Sequence, residues 1–336
     1  MKIKNSRGEA VTLNQREAHL AEYNQRHVNA LGYEIDVTTL TTIMKRVTEQ
    51  KFFTIAPADY LPVRVGEGAW SSNLLTYQSF ALADDFVTGV INTGGNNGRL
   101  ASADAGVDSV TIKVFNWAKT IGWSLFDLQL ASKSGNWDLI TAKENSRKKN
   151  WDLGIQKIAF LGSGASDCLG LYNQSLTPNA GTVLPVAISA MTPAQFDTFL
   201  GAIIPAYRTY CNFTAMPSHF VIPESDFNGL ASFPSSSFPL KSKLEILEAA
   251  LKVVTGNAAF KVLPNAYGQT AQSGLAKNRY VLLNYDEETI RMDIPVDYTN
   301  TLANSIDNFS FQNVGYGQFT GVGIYRPLEV LYLDLA

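Results

Sequence analysis

Between Val63 and Lys119 the chain reads as an extended excursion whose return limb places apolar residues at every second position, the period of a strand with one face buried. "SSNLLTYQSFAL" (71–82) leads outward and "VDSVTIKVFNW" (107–117) returns, with Val110, Ile112 and Val114 in alternation. Between them "NTGGNNGRLASADAG" (92–106) offers Leu100 as its only large apolar side chain, and its clustered glycines and asparagines predict a loop tip. Two strands alone are marginal in water, so a hairpin this long has to lie on something else.

The period then changes. No proline occurs from Trp137 to about Leu161, and Ile140, Trp151, Ile155 and Ile158 fall on roughly one helical face. The middle of this segment, "KENSRKKN" (143–150), is polar almost all round. A helix with apolar ends and a wet middle lies across a surface, and about 25 residues would span roughly 37 Å. Gly135 interrupts any helix beginning near Ser124, Asn136 is the expected N-cap of the long one, and Gly162 its left-handed stop.

From about residue 166 to 300 the pattern is mixed α/β. Thr192, Pro193 and Gln195 predict a capping box ahead of the stripe Phe196, Phe199, Leu200 and Ile203. Ser242 and Glu245 repeat the signal before Leu244, Leu247, Leu251 and Val254, with Gly256 ending the helix. "HFVIPESD" reads as a strand, and "RYVLLNYDEETIRMDIP" as a hairpin turning at Asp286 to Glu288. The end, "FQNVGYGQFTGVGIYRPLEVLYLDLA", is mostly strand with glycine breaks. Residues 1 to about 50 mix charges of both signs; "REAHLAEYNQRHVNALG" is a short candidate helix within an arm whose order depends on a partner.

Composition sharpens this outline. Of 336 residues 46 % are hydrophobic and only 17 % charged, below the roughly 25 % usual in soluble domains. Interface cores are depleted in charge and enriched in aromatics, and the chain carries 14 Tyr and 18 Phe. A net charge of −3 gives no global nucleic-acid signature. Neither a signal-peptide core nor a spanning apolar run is present. Two cysteines, Cys168 and Cys211, fit a reducing compartment and leave a single bridge open.

Catalytic chemistry finds little support. The three histidines, His19, His27 and His219, form no metal-ligand spacing, so no metal or cofactor is expected. "LGSGAS" follows a helix instead of opening one and lacks the lysine of a phosphate loop. Cys168 with His219 would make a nucleophile and base only by distant juxtaposition, which leaves a soluble cysteine/histidine hydrolase as a remote reading. Asp84-Asp85 and Glu287-Glu288 read as solvated turn charge. Arg147, Lys148 and Lys149 offer three consecutive cations, either a solvated helix face or a backbone contact for nucleic acid.

The segment "TIKVFNWAKTIGWSLFDLQLASKSGNWDLITAKENSRKKNWDLGIQKIAFLG", with its W-x-x-x-x-G-W-S-x-x-D-L cadence, resembles the passage from extended loop to spine helix in the major capsid proteins of tailed bacteriophages. These proteins have the Hong Kong 97-like fold, which encapsulin shells share. The ending "GQFTGVGIYRPLEVLYLDL" is similar to their terminal strands. The resemblance implies an α+β fold: an N-terminal arm at 1–50, residues 51–65 leading into a P-domain, and an extended hairpin or E-loop at 66–109. The P-domain with its spine helix would follow at 110–165, a mixed α/β A-domain at 166–290, and P-domain strands with the C-terminal strand at 291–336.

The same resemblance implies a structural protein without catalysis, tiling as pentamers and hexamers into an icosahedral shell around a viral DNA genome. Its partners would be copies of itself, scaffolding, portal and decoration proteins, and packaged double-stranded DNA, with no membrane. Assembly would take place in the host bacterial cytoplasm. An encapsulin-like compartment and another virion component, such as a tail or decoration protein, are the alternatives. Trp117, Trp123, Trp137, Trp151 and Leu100 are the expected inter-subunit contacts, and Arg147, Lys148 and Lys149 the expected genome-facing cations. Lysine is missing between Lys51 and Lys113, so the loop lacks the side chain a covalent cross-link there would need, and non-covalent holding is expected.

Overall fold

The alternation through Val110, Ile112 and Val114 belongs to one strand of 21 residues, β5 (Asp104–Ser124). In the computed structural model of the protein, residues 2–4, 10–12, 53–82, 104–133, 138–164, 167–232, 240–307 and 309–335 are described. The candidate helix of the arm, the loop from Asn92 to Ala103, Leu100, Asn136 and Trp137 lie outside them. The chain divides into Met1–Phe53 and Thr54–Ala336. In the first, β1 (Lys2–Lys4) and β2 (Ala10–Thr12) pair antiparallel. All elements below belong to the second.

The outer half of β5 pairs with β4 (Asn73–Leu82), from Asn73 opposite Lys113 to Leu82 opposite Asp104, and this is the expected hairpin. Its inner half pairs with β12 (Ser310–Thr320), from Ser124 opposite Ser310 to Val114 opposite Thr320. With β10 (Val296–Asn300) beyond β12, and β11 (Asn304–Ser305) also on β12, these make a five-stranded antiparallel sheet. A short helix, α1 (Leu125–Lys133), follows β5 directly.

The long helix, α2 (Leu139–Leu161), begins two residues later than the asparagine signal implies. Its N-cap is Asp138, whose carboxylate accepts from the Thr141 amide. Asp138 is the better cap because its charge also faces the positive end of the helix dipole. The helix stops at Gly162, but at φ 68° and ψ −168° rather than in the left-handed helical region. The chain turns so tightly there that a Cβ on Gly162 would come within 2.2 Å of the Cys168 carbonyl oxygen. Trp151 and Ile155 of the expected stripe are buried, together with Arg147, Gln156, Ala159 and Phe160, while Ile140 and Ile158 are only half-buried.

The α/β region is built on a four-stranded mixed sheet in the order β14 (Val330–Asp334), β8 (Arg279–Leu283), β6 (His219–Pro223), β7 (Lys261–Asn265). Both faces of this sheet are covered, so its strands read as continuous apolar runs without alternation. Phe220, Ile222, Tyr280, Leu282, Leu331 and Leu333 pack beneath α3 (Pro193–Tyr210) and α5 (Lys243–Thr255). Val221, Val281, Leu283, Val330 and Tyr332 point the other way, into a second core with Trp151, Ile155, Ala159 and Phe160 of α2. One sheet therefore joins the α/β region to the long helix through alternate residues.

The first helix cap forms as read, and of the second expected box only the serine half forms. Thr192 and Gln195 make the reciprocal capping box, Ser242 accepts from the Glu245 amide, and Gly256 is left-handed. Val254 departs from its expected stripe and is 53 % exposed. "PESD" is not all strand, because Glu224 opens α4 (Glu224–Leu230).

The expected hairpin at 279–295 is absent. The turn at Asp286 exists, with Thr289 and Ile290 amides bonded to its carbonyl, yet the flanking strands join different sheets. β8 pairs with β14 and β6, whereas β9 (Ile290–Ile294) lies between β13 (Val322–Ile324) and β3 (Val63–Val65).

Candidate assembly interface

Alternation along β12 divides the five-stranded sheet into a covered and an open face. Asn313, Gly315 and Gly317 are buried beneath α2, whereas Gln312, Val314 and Tyr316 are half-buried on the other side. The covered face needs its glycines. A Cβ at 315 would stand 2.6 Å from Arg147 Nε, and one at 317 would stand 2.5 Å from Trp151 Cη2. These vacated volumes let the helix lie close to the sheet, with Arg147 and Trp151 filling them.

Arg147 is therefore not a genome-facing cation: it is 2 % exposed. Its guanidinium donates to Tyr298 Oη at 2.8 Å, Asn313 Oδ1 at 2.9 Å, the Asn313 carbonyl at 3.0 Å and Asn300 Oδ1 at 3.1 Å. Neutral acceptors on β10 and β12 thus hold the buried charge, and Asn313 is itself bonded to Glu144 at 2.8 Å. Four positions before Trp151, Arg147 shares its face of the helix. Lys148 is exposed and Lys149 half-buried, so these two keep the solvent side.

The tryptophans divide in a similar way. Trp123, 7 % exposed and stacked on Phe311, and Trp151, 4 % exposed, belong to the chain's own core and are not free for a neighbour. Trp117 is half-buried, its ring centroid 5.2 Å from that of Trp151.

The fifth tryptophan carries no expectation from the sequence pattern. Trp70 precedes β4, is 71 % exposed and has φ 65°, a backbone conformation uncommon for a bulky residue. Its amide donates to Gln318 Oε1 at 2.8 Å, and Gln318 Nε2 reaches Asn116 Oδ1 at 2.6 Å, so a buried glutamine ties the loop to β5. The Trp70 ring lies 5.9 Å from Tyr316, over a cleft of about 400 Å³ on the open face, lined also by Asn116 and Ala118. Such strain persists only where surrounding contacts impose it. "GEGAW", a tryptophan beside two glycines, was the available signal.

The hairpin is also two-faced. Leu74, Thr76, Gln78, Val110 and Ile112 are half-buried, while the opposite face displays Leu75, Tyr77 and Val107 at 49, 70 and 68 % exposure. Three large apolar side chains are thus left uncovered on this face.

Cys168 and His219 do not assemble into a site. Both cysteines are free, buried thiols. His219 is 6 % exposed, its Nδ1 lies 3.0 Å from Ser218 Oγ, and its ring stacks on Tyr285. Burial, with Lys261 nearby, pushes its imidazole down to about 4, a value unsuited to a base near neutrality. Among the described residues no group of three or more His, Cys, Asp or Glu is placed to hold a metal, and no helix is long and apolar enough to cross a membrane.

A long strand-built hairpin, a spine helix laid across a sheet and a mixed α/β region define a capsid-type fold of class α+β. The fold matches the solved capsid of myovirus phage XM1 with a TM-score of 0.72 at 15 % identity, over 90 % of this chain and 99 % of that one. A structure from Mycobacterium phage Ogopogo matches at 0.55 and 10 % identity, over 90 % and 100 %. The capsid of an empty GTA particle matches at 0.56 and 11 %, over 87 % and 100 %. No curated protein sequence matches. The family model of the major capsid protein matches residues 91–335, and the chain belongs to that family.

Proposed function

We propose that this major capsid protein tiles as pentamers and hexamers into a closed icosahedral shell around a double-stranded DNA genome. The observation that carries the reading is the uncovered apolar surface on its strand-built parts: Leu75, Tyr77 and Val107 on the hairpin, and Trp70 above the open sheet face. Such patches on a soluble chain mark interaction sites, and aromatic anchors dominate interface energies. Copies of the chain are the partner that a capsid family supplies. Residues 1–50 serve as the arm, 66–109 as the overlapping loop, 110–165 with much of 291–336 as the P-domain, and 166–290 as the A-domain. Trp117 contributes its accessible edge to a neighbour. Lys148 and Lys149 face the genome, and scaffolding, portal and decoration proteins complete the partners. The role is structural, without catalysis, in the virion capsid, with assembly in the host bacterial cytoplasm.

Electron microscopy of the purified protein, with its solution mass, tests the reading. Shells tens of nanometres across, or free pentamers and hexamers, are expected. A strict monomer at high concentration, also with its cognate scaffold present, refutes it. Deleting Asn92–Gly106 separates out the hairpin: shells of unchanged yield and stability would remove it from assembly.

A further inference from the structure

The hairpin's half-buried face meets β9 and β13 along a seam held by a few directional contacts. Arg291 Nη2 donates to Thr76 Oγ1 at 3.0 Å, and Gln78 Nε2 donates to the Tyr325 carbonyl at 2.7 Å. Ile112 Cδ1 lies 2.2 Å from where a Cβ of residue 323 would stand, so its seat exists because that residue is glycine. Around these contacts a cavity of about 470 Å³ remains, lined by Thr76, Tyr77, Gln78, Glu288, Tyr325 and Arg326, with Arg291. This space opens to solvent past the exposed Glu288 and Arg326, so packing does not seal the seam there. Directional bonds therefore set the angle of the hairpin more than close packing does.

Arg291 is itself immobilised. Its Nε lies 3.2 Å from Asp293 Oδ2, its guanidinium carbon 4.5 Å from the Tyr325 ring centroid, and its side chain is 13 % exposed. Asp293, with a side chain 2 % exposed, also faces Arg64 Nε at 3.4 Å. One edge of a rigid planar fork is thus fixed to the body while another reaches the hairpin. A lysine, a single point charge on a flexible stem, cannot hold both.

We infer that Arg291 is a positioning residue, which with Gln78 clasps the hairpin root and fixes the hairpin's angle on the free subunit. The outer stripe Leu75, Tyr77 and Val107 is then held in one orientation before any neighbour is met. The use of that stripe rests on the shell reading above; the clasp does not.

The test is made on unassembled subunit carrying nitroxide labels at Ser109→Cys and Glu287→Cys, both exposed positions, with the native thiols buried. The Thr76→Val/Gln78→Met pair removes both hairpin-side contacts, preserves side-chain size and leaves Arg291 paired with Asp293. The clasp predicts one narrow distance distribution in the labelled parent, and one about two-fold broader or more in the pair, with the thermal midpoint of the body unchanged. Arg291→Lys is expected to broaden it likewise despite retaining its charge. An unchanged width in the Val/Met pair overturns the clasp, whether or not shells form. Shell formation by the same proteins bears separately on the assembly reading: undiminished shells beside a broadened distribution retain the clasp and remove hairpin angle as a requirement of assembly.

Discussion

Gly317 and Gly154 receive the same substitution, and the structure predicts opposite signs. Gly154 lies on α2 with nothing within 4 Å of a Cβ built on it. Alanine there removes glycine's helix penalty and should stabilise the subunit by about 1 kcal/mol. At Gly317 an added Cβ meets Trp151 Cη2 at 2.5 Å and both Cζ2 and Cζ3 at 2.9 Å. The Trp151 ring cannot withdraw freely, since Trp117 lies 5.2 Å and Phe319 6.1 Å from it, centroid to centroid. Overpacking of this kind costs about 1–3 kcal/mol, against about 0.4–1 kcal/mol gained by restricting the unfolded chain. The clash wins, with a net loss of about 1–2 kcal/mol. With a urea slope of about 3 kcal/mol/M, the midpoint should fall by roughly 0.3–0.7 M in Gly317→Ala and rise by about 0.3 M in Gly154→Ala. Trp151→Phe removes the atoms that the new Cβ meets, so in that background Gly317→Ala should cost almost nothing. A raised midpoint in Gly317→Ala, or additive effects in the double variant, would refute the reasoning.

Acid should weaken the fold through His219. Its folded-state value of about 4 lies below the ordinary 6.5, so the unfolded chain binds the extra proton. The stability from keeping it neutral is whole above pH 6.5 and declines toward about pH 4. Discounted for solvent screening, the loss is about 1–2 kcal/mol; unfolding midpoints of His219→Phe should be flat across that window. Asp226, 4 % exposed, accepts from the Ile188 and Ser189 amides at 3.0 and 2.8 Å and from Tyr280 Oη at 2.7 Å. Asp226→Asn turns an amide group toward donors and should cost about 2–4 kcal/mol in urea unfolding, a loss under about 0.5 kcal/mol contradicting this account. Trp70→Ser should leave subunit stability within about 0.5 kcal/mol while lowering shell yield by sedimentation; unchanged yield would remove Trp70 from the interface.

Local signals in the sequence were read well where local chemistry decides the outcome. Thr192 with Gln195, Ser242 and Gly256 bound their helices as expected, and Val110, Ile112 and Val114 lie on a real strand. Strand partnership beyond the β4–β5 hairpin was not legible. The turn at Asp286 looks like a hairpin turn, but β8 takes a partner some fifty residues further on, and long-range pairing leaves no trace in turn residues. Arg147 shows a signal overlooked. Successive helical residues point about 100° apart, so one of three adjacent cations had to share the face of Trp151. That Gly315 makes room for it could not be seen, since the space is shaped across 168 residues of chain (147 to 315).

β5 gives the hairpin no joint of its own. Its 21 residues, about 70 Å of extended chain, pass from the hairpin into the sheet beneath the spine helix, with continuous registers to β4 and then β12. A displacement at the outer end is therefore taken up as curvature in a ribbon anchored at the other. Over the ten paired residues of the hairpin, about 33 Å, a tilt of about 5° moves the outer end by about 3 Å. In the closed shell proposed above, where neighbours would sit at unequal angles, that elasticity would let one sequence fit several environments without refolding any part of itself.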